Sequence, residues 1–391
     1  MIDECQACGG TATEPFFQIN RIPTSSCVLT DTPQEAARWD RADMELAVCH
    51  TCGFIQNRLF RAELVDYTMP YEESQAFSPR FVAFQDELIS RLASDHDLAG
   101  KTILEIGSGK GAFLEAICRV GGARGIGIDP AGQSSRLTTD VDITLIRDFF
   151  DESTTHLTGD LICCRHTLEH IQAVGRFVRN VGDSLRRTTG SVSFFELPDT
   201  ERILEEGAFW DVYYEHCSYF TMTSLSHLFP SHGLSITRLE RGFDNQYILL
   251  EAGEGAAVGS SDLDGVKELV ERCRRFGEIA SREVDRWRQV IAEFADRDQT
   301  VVLWGAGSKA VGFLSALALD EAVSAVVDVN PFKQGTFLPG SAHEIVSPDS
   351  LPNLSPDLVV VMNPIYAAEI GEMLAGRGLH PQLASLSAVY R

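Results

Sequence analysis

Two stretches, "KTILEIGSGKGAFLEAICRVG" (101–121) and "TVVLWGAGSKA" (300–310), each run an apolar segment into a glycine loop and then a helix-like segment. A strand that ends in glycines and restarts as a helix opens a parallel α/β sheet, whose carboxyl edge is where ligands sit. Two such openings, well apart in a chain of 391 residues, require two sheets. That agrees with about 100–200 residues per domain. Between them, "EAGEGAAVGSSDLDG" (251–265) reads as a polar linker. Residues 266–294 then read as one long helix, with Val270, Cys273, Phe276, Ala280, Val284 and Trp287 at helical spacing. Residues 1–70 belong to neither sheet. The expected fold is α/β: a small N-terminal block (1–70), a central Rossmann-like sheet domain (71–255), and a linker helix with a second Rossmann-like domain (256–391).

The net charge of −23, from 33 basic and 56 acidic residues, argues against non-specific binding to nucleic acid or an anionic membrane. It leaves room for a local cradle around one small anionic ligand. No apolar run approaches the roughly 20 residues of a membrane span. "MIDECQACGG" has neither a basic start nor an apolar core, so a cytoplasmic location is expected.

The N-terminal block carries Cys5-Gln-Ala-Cys8-Gly9 and Cys49-His-Thr-Cys52-Gly53. Each C-x-x-C-G knuckle lets two thiolates meet one ion, and four thiolates close a tetrahedral sphere. The expectation is structural zinc on Cys5, Cys8, Cys49 and Cys52, since so short a block lacks a core of its own. A redox dithiol or buried thiols are the plain alternatives.

In the first glycine loop, Glu105 opens E-x-G-x-G-x-G with Gly107, Gly109 and Gly111. "GIGID" is a second strand ending in Asp129, placed to hold two ribose hydroxyls. "IRDFF" adds Asp148, placed to accept from an adenine amino group. That ordered set is the pattern of class I methyltransferases that use S-adenosylmethionine, with an NAD-binding fold as the alternative. The next apolar strand delivers "HTLEHI" (166–171) to the same edge, and His170 is expected to face the pocket.

"FWDVYYEHCSYF" (209–220) raises the chemical question. It reads either as an aromatic core segment or as a pocket where protons move. Methylation of carbon requires a base near neutrality, which His supplies, and a donor for the enolate oxygen. Tyr213, Glu215 and His216 are groups of those kinds.

Taken together, the knuckles, "EIGSGKG", "LEHI", "YYEHCSYF" and "DVNPFKQGTFLPG" resemble the three-domain sugar C-methyltransferases of deoxysugar biosynthesis. The resemblance spans nearly the whole chain. It implies an N-terminal zinc domain, a central S-adenosylmethionine domain, a C-terminal Rossmann-like domain and a nucleotide-linked 4-keto sugar as acceptor. It implies His216 as base, Tyr213 and Glu215 as its partners, and His170 at the enolate oxygen. Tyr214 stands where the family has His, and is taken as a substrate contact. "IPTSSCVLTD" (22–31) replaces the family's Pro-Leu-Ala-Asn-like segment.

In the second loop, Gly305, Gly307 and Ala310 precede Asp328, Asn330 and Lys333. Read from the residues alone, this is a dinucleotide fingerprint. The resemblance turns the loop toward the substrate's nucleotide, with Ser308, Lys309 and Lys333 meeting a diphosphate. Transfer to O or N of another metabolite, and a non-catalytic zinc-organised binding protein, are the alternative functions.

Overall fold

The computed structural model describes residues 2–69, 71, 72, 74–132, 137, 140–255 and 263–386. Its strands form three sheets. The N-terminal block supplies β1 (Thr13–Pro23), helix α1 (Pro33–Ala37), β2 (Arg41–Cys49) and β3 (Ile55–Asn57). These antiparallel strands pair in the order β1-β2-β3.

The central block follows as α2 (Pro79–Asp95), β4 (Thr102–Ile106), α3 (Ala112–Gly121), β5 (Arg124–Ile128), β6 (Ile143–Ile146), β7 (Leu161–Arg165), α4 (Val174–Leu185) and β8 (Val192–Pro198). It continues as α5 (Thr200–Glu206), β9 (Ser218–Tyr219), α6 (Met222–Ser231), β10 (Leu234–Gly242) and β11 (Tyr247–Glu254). Seven of these strands form one sheet in the order β10-β11-β8-β7-β4-β5-β6. The chain steps outward one way from β4 and then returns through β7 on the other side. A crevice therefore opens beyond the carboxyl ends of β4 and β7. The fully buried strands β4 and Leu161–Cys164 of β7 explain the continuous apolar runs seen in the sequence.

Two features depart from expectation. The far edge is an antiparallel hairpin, β10–β11, with β11 antiparallel to β8. Glu251–Glu254, expected in the linker, is the end of β11, where apolar positions pack across β8. Residues 256–262 of that linker lie outside the described residues. The second departure is β9. It pairs not with the central sheet but with β3, through Ile55↔Tyr219 and Gln56↔Ser218. The first sheet therefore takes its fourth strand from the middle of the chain.

Helix α7 (Leu263–Ala295) buries Val270, Cys273, Phe276, Ala280 and Trp287, the stripe read from the sequence, with Val284 partly covered. It leads to β12 (Val301–Trp304), α8 (Ser308–Leu317), β13 (Ala325–Val327), β14 (Ile345–Val346), α9 (Leu351–Leu354), β15 (Leu358–Val361), α10 (Ala367–Ala375) and β16 (Gln382–Ser385). These strands form a parallel sheet, β14-β13-β12-β15-β16. One apolar core joins Met44, Leu46 and Ile55 of the first sheet to Trp210 and Tyr214, to α7, and to Leu303 and Val360 of the third sheet. No helix among the described residues is long and apolar enough to cross a membrane.

Candidate active site

A cavity of about 1550 Å³ runs between all three sheets. It exceeds the roughly 1,000 Å³ of a large single-ligand pocket, so it has room for two ligands side by side. Its lining draws Ser25 and Cys27 from the N-terminal block, Gly107, Asp129 and His170 from the central sheet, and Gly305 and Ser308 from the third.

The segment 209–220 answers both readings of itself. Phe209–Asp211 is a single 3-10 turn, and a second turn follows at Tyr214–Glu215, so successive side chains are sent to different sides. Trp210, Val212 and Tyr214 point into the core, while Asp211, Tyr213 and Glu215 line the cavity, followed by His216. Tyr214, expected at the substrate, is therefore on the wrong face. Its hydroxyl accepts the Arg61 N–H at 2.9 Å, and it does not line the cavity. The turn at Tyr214–Glu215 sends the Tyr214 ring into the core, 5.5 Å from Phe60 between ring centres.

His216 is buried, and its ring makes no hydrogen bond among the described residues. It lies edge-on to His170 at 4.8 Å and beside Tyr213 at 4.3 Å between ring centres. Burial, with the neighbouring His170 charge, holds its pKa well below the ordinary value, so the imidazole is neutral with a free lone pair. The Tyr213 hydroxyl also finds no partner among the described residues. Burial pushes its phenol well up, so it remains a proton donor. His170 Nδ1 lies 3.1 Å from the carbonyl of Glu215, and a carbonyl only accepts. Nδ1 of His170 therefore carries a proton whether the ring is neutral or charged.

Glu215 is a braced carboxylate. Its Oε1 accepts from the Ser25 hydroxyl at 2.8 Å, and its Oε2 accepts from the Ser26 N–H at 2.8 Å and from the Ser26 hydroxyl.

The first glycine loop sits at the β4–α3 turn. Gly107 takes φ +73°, and a Cβ there would meet Thr167 Oγ1 at 2.0 Å. Only glycine fits. Asp129, just past β5, accepts the Gly109 N–H at 2.9 Å and the Ala131 N–H at 2.8 Å. Burial pushes its pKa up despite those donors. Glu105 is buried on β4, and desolvation raises it to about 8. Its Oε2 and the Ser108 hydroxyl lack a partner among the described residues. Two orphaned polar atoms beside a glycine turn fit a ligand with its own donors and acceptors, as S-adenosylmethionine has. Asp148 is exposed at the cavity's rim. Gly111 does not line the cavity; it forms the left-handed turn into α3.

In the second loop the lysines are already engaged. Lys309 pairs with Asp211, which Arg202 also holds at 2.5 Å. Lys333 Nζ donates to the Ala306 carbonyl at 2.9 Å and lies 3.5 Å from Asp328. Neither stands free for a diphosphate, because burying an ammonium requires a partner at hand.

Sequence reasoning passed over several residues. Glu169 is buried inside "HTLEHI", with Oε2 unpartnered among the described residues. One carboxylate oxygen and ring nitrogens of His170 and His216 lie within 4.8 Å of one another. Its neighbour His166 bonds Glu196 at 3.0 Å, and Arg165 bonds the same carboxylate at 2.6 Å. Burial opposes the charge on His166, but Glu196 wins and its pKa rises to about 9. The acidic and basic letters at two adjacent strand ends were the available signal.

In the N-terminal block the four sulfurs converge. Cys5 and Cys52 are 3.6 Å apart, Cys8 and Cys49 are 3.7 Å apart, and all four lie within 4.8 Å of one another. Four sulfurs at about 2.3 Å from one zinc ion would be about 3.8 Å apart, so this donor set is compatible with zinc.

Comparison with known proteins agrees with this geometry. Residues 75–239 match the family model described as methyltransferase domain, and residues 263–377 match the C-methyltransferase C-terminal domain. The C-methyltransferase NovU of Streptomyces niveus is 25% identical over 389 residues, covering 94% of this chain and 91% of its own. Two solved structures are similar at lower levels. Magnesium protoporphyrin IX methyltransferase of Synechocystis with S-adenosylhomocysteine covers 48% of this chain and 91% of its own, at 14% identity and TM-score 0.36. The N-methyltransferase NodS of Bradyrhizobium japonicum covers 45% and 98%, at 15% identity and TM-score 0.34. The family models and NovU support a place among C-methyltransferases.

Proposed function

We propose that this S-adenosylmethionine-dependent methyltransferase adds its methyl group to a carbon next to a ketone, on a nucleotide-linked keto-deoxysugar. The observation that carries the reading is His216: a buried, neutral imidazole, free of hydrogen bonds among the described residues, facing the cavity that the first glycine loop also lines. NovU, a C-methyltransferase similar over 94% of this chain, supports transfer to carbon.

Bound S-adenosylmethionine supplies an electrophilic methyl group. Glu105, Gly107, Gly109 and Asp129 would hold it, with Asp148 at the rim. The protein's own work is to make the carbon nucleophilic. His216 removes the proton next to the ketone, and the Tyr213 hydroxyl donates to the oxygen that gains charge. His170 assists there only in its charged form, because its neutral proton is committed to the Glu215 carbonyl. Burial excludes water from the enolate. The four cysteines hold a structural zinc ion, and elemental analysis should find one zinc per chain.

The test is proton NMR of candidate ketones in D₂O with enzyme and S-adenosylhomocysteine. Loss of one C–H signal beside the carbonyl is expected with wild type. His216→Ala should slow both that exchange and turnover by about a thousandfold, with S-adenosylhomocysteine affinity unchanged. A methylated product bearing O-methyl or N-methyl, with no carbon exchange, would sink the carbon reading.

A further inference from the structure

We propose that Ser25 and Ser26, on the loop after β1, are positioning residues of the active site that set His216 through Glu215. The inference rests on the reading of His216 as the base.

Residue 215 is fixed at both ends. Its carboxylate receives three hydrogen bonds from Ser25 and Ser26, all within a buried contact between segments 189 or 190 residues apart in sequence. Its carbonyl receives the His170 Nδ1–H at 3.1 Å and the Tyr67 hydroxyl at 3.2 Å. The next residue is His216. Little freedom remains for the backbone that carries the imidazole.

The contact continues into the third sheet's domain. Ser26 Oγ lies 2.8 Å from Ser308 Oγ, at the first turn of α8, and Ser308 Oγ lies 3.2 Å from the Cys27 thiol. Each hydroxyl has one proton to give. The Ser26 proton goes to Glu215, so Ser308 must donate to Ser26. The Cys27 thiol then donates to Ser308. The chain of donors ends on the carboxylate, where the negative charge strengthens every bond behind it. Parts of all three sheet regions thus meet at Glu215. Ser25, Ser26 and Cys27, consecutive in the chain, supply the contacts from the N-terminal block to the Glu215 carboxylate and to Ser308.

The experiment compares wild type, Ser25→Ala/Ser26→Ala and Ser26→Thr, each loaded with S-adenosylhomocysteine. The readout is the ¹⁵N signal of the His216 imidazole, assigned by its loss in His216→Asn. Wild type should show one neutral form from about pH 6 to 8. The double alanine variant frees the Glu215 carboxylate toward the ring. Its imidazole midpoint should rise by at least about half a pH unit. Ser26→Thr keeps the hydroxyl and should restore the wild-type signal. With a ketone that exchanges, kcat should fall about tenfold or more in the double variant while acceptor KM changes less than about threefold.

An unchanged imidazole titration in the double variant overturns the proposal. If that variant fails to fold, Ser25→Ala removes one of the three bonds to Glu215, together with the longer one from the Val28 N–H, and should show a smaller shift of the same sign; no shift again overturns it. The underlying reading fails separately, through carbon exchange that survives His216→Ala, and the imidazole signal does not depend on that result.

Discussion

The two glycine loops are built on one plan and end differently. In the first, Gly107 N–H donates to the Ile128 carbonyl; in the second, Gly305 N–H donates to the Val327 carbonyl, each at 2.8 Å. Asp129 accepts from Gly109 and Ala131, and Asp328 accepts from Ala306 and Asn330. The difference is what stands over the acid. Over Asp328 the chain's own Lys333 reaches the loop carbonyl, and Asn330 is tied to Glu72 at 2.9 Å. Beside Asp129, Lys110 is turned away to the Tyr71 carbonyl and Glu72. Glu105 and Ser108 keep unpartnered atoms there. Both loops line the cavity, but at the second the acid already has an internal cation beside it.

The sharpest break of this comparison is a methyl group in each loop. Gly107→Ala forces φ +73° on an L-residue and drives Cβ into Thr167. Calorimetry should show S-adenosylhomocysteine affinity falling about a hundredfold. At Gly307 an added Cβ meets nothing within 4 Å. Gly307→Ala should leave affinity within about twofold, and a loss equal to that at Gly107 would erase the distinction.

Next come the two acids. Asp129→Asn keeps the shape but removes the charge from the two N–H bonds and from the proposed ribose contact. A tenfold loss of affinity, about 1.4 kcal/mol, is expected. Asp328→Asn should leave that affinity alone. It strips Lys333 of its counter-charge and should lower stability by about 1–3 kcal/mol in a denaturant titration.

The smallest effect separates the sheets by pH. Arg165, the last residue of β7, pairs with Glu196 of β8 and His166 follows it, whereas β15 runs into Met362 and Asn363. Burial pushes Glu196 up, but Arg165 and His166 hold it at about 2. His166 is raised to about 9. A raised histidine stabilises the fold fully below its unfolded pKa of about 6.5, and that support is lost as pH climbs through about 9. The ring is about a third open, at 32% exposure, so solvent screens the effect to roughly 1 kcal/mol. His166→Gln should flatten the decline in melting temperature above neutrality.

Much of this was legible in the chain. Strands β4, β7 and β12, the helices after each glycine loop and the stripe of α7 appear as apolar runs and helical periods, which depend on near neighbours. The cysteine knuckles were legible for the same reason, since each pair is fixed by its own turn. Tyr214 was misread because "YY" does not say which tyrosine faces the core. The engagement of Lys309 and Lys333 was not legible because their partners, Asp211 and the Ala306 carbonyl, lie 98 and 27 residues away.

The sequence by itself determined the two sheet openings, the two cysteine knuckles and the run of polar and aromatic groups from Tyr213 to His216. Those features rest on local spacing, which the backbone's fixed periods convert directly into geometry. Only the tertiary structure decided that β9 completes the first sheet, that Ser25 and Ser26 brace Glu215, and that Lys333 stands beside Asp328 at the second glycine loop. Such pairings join residues far apart in the chain. They are selected by burial, which makes an unpaired charge or hydrogen-bonding group costly.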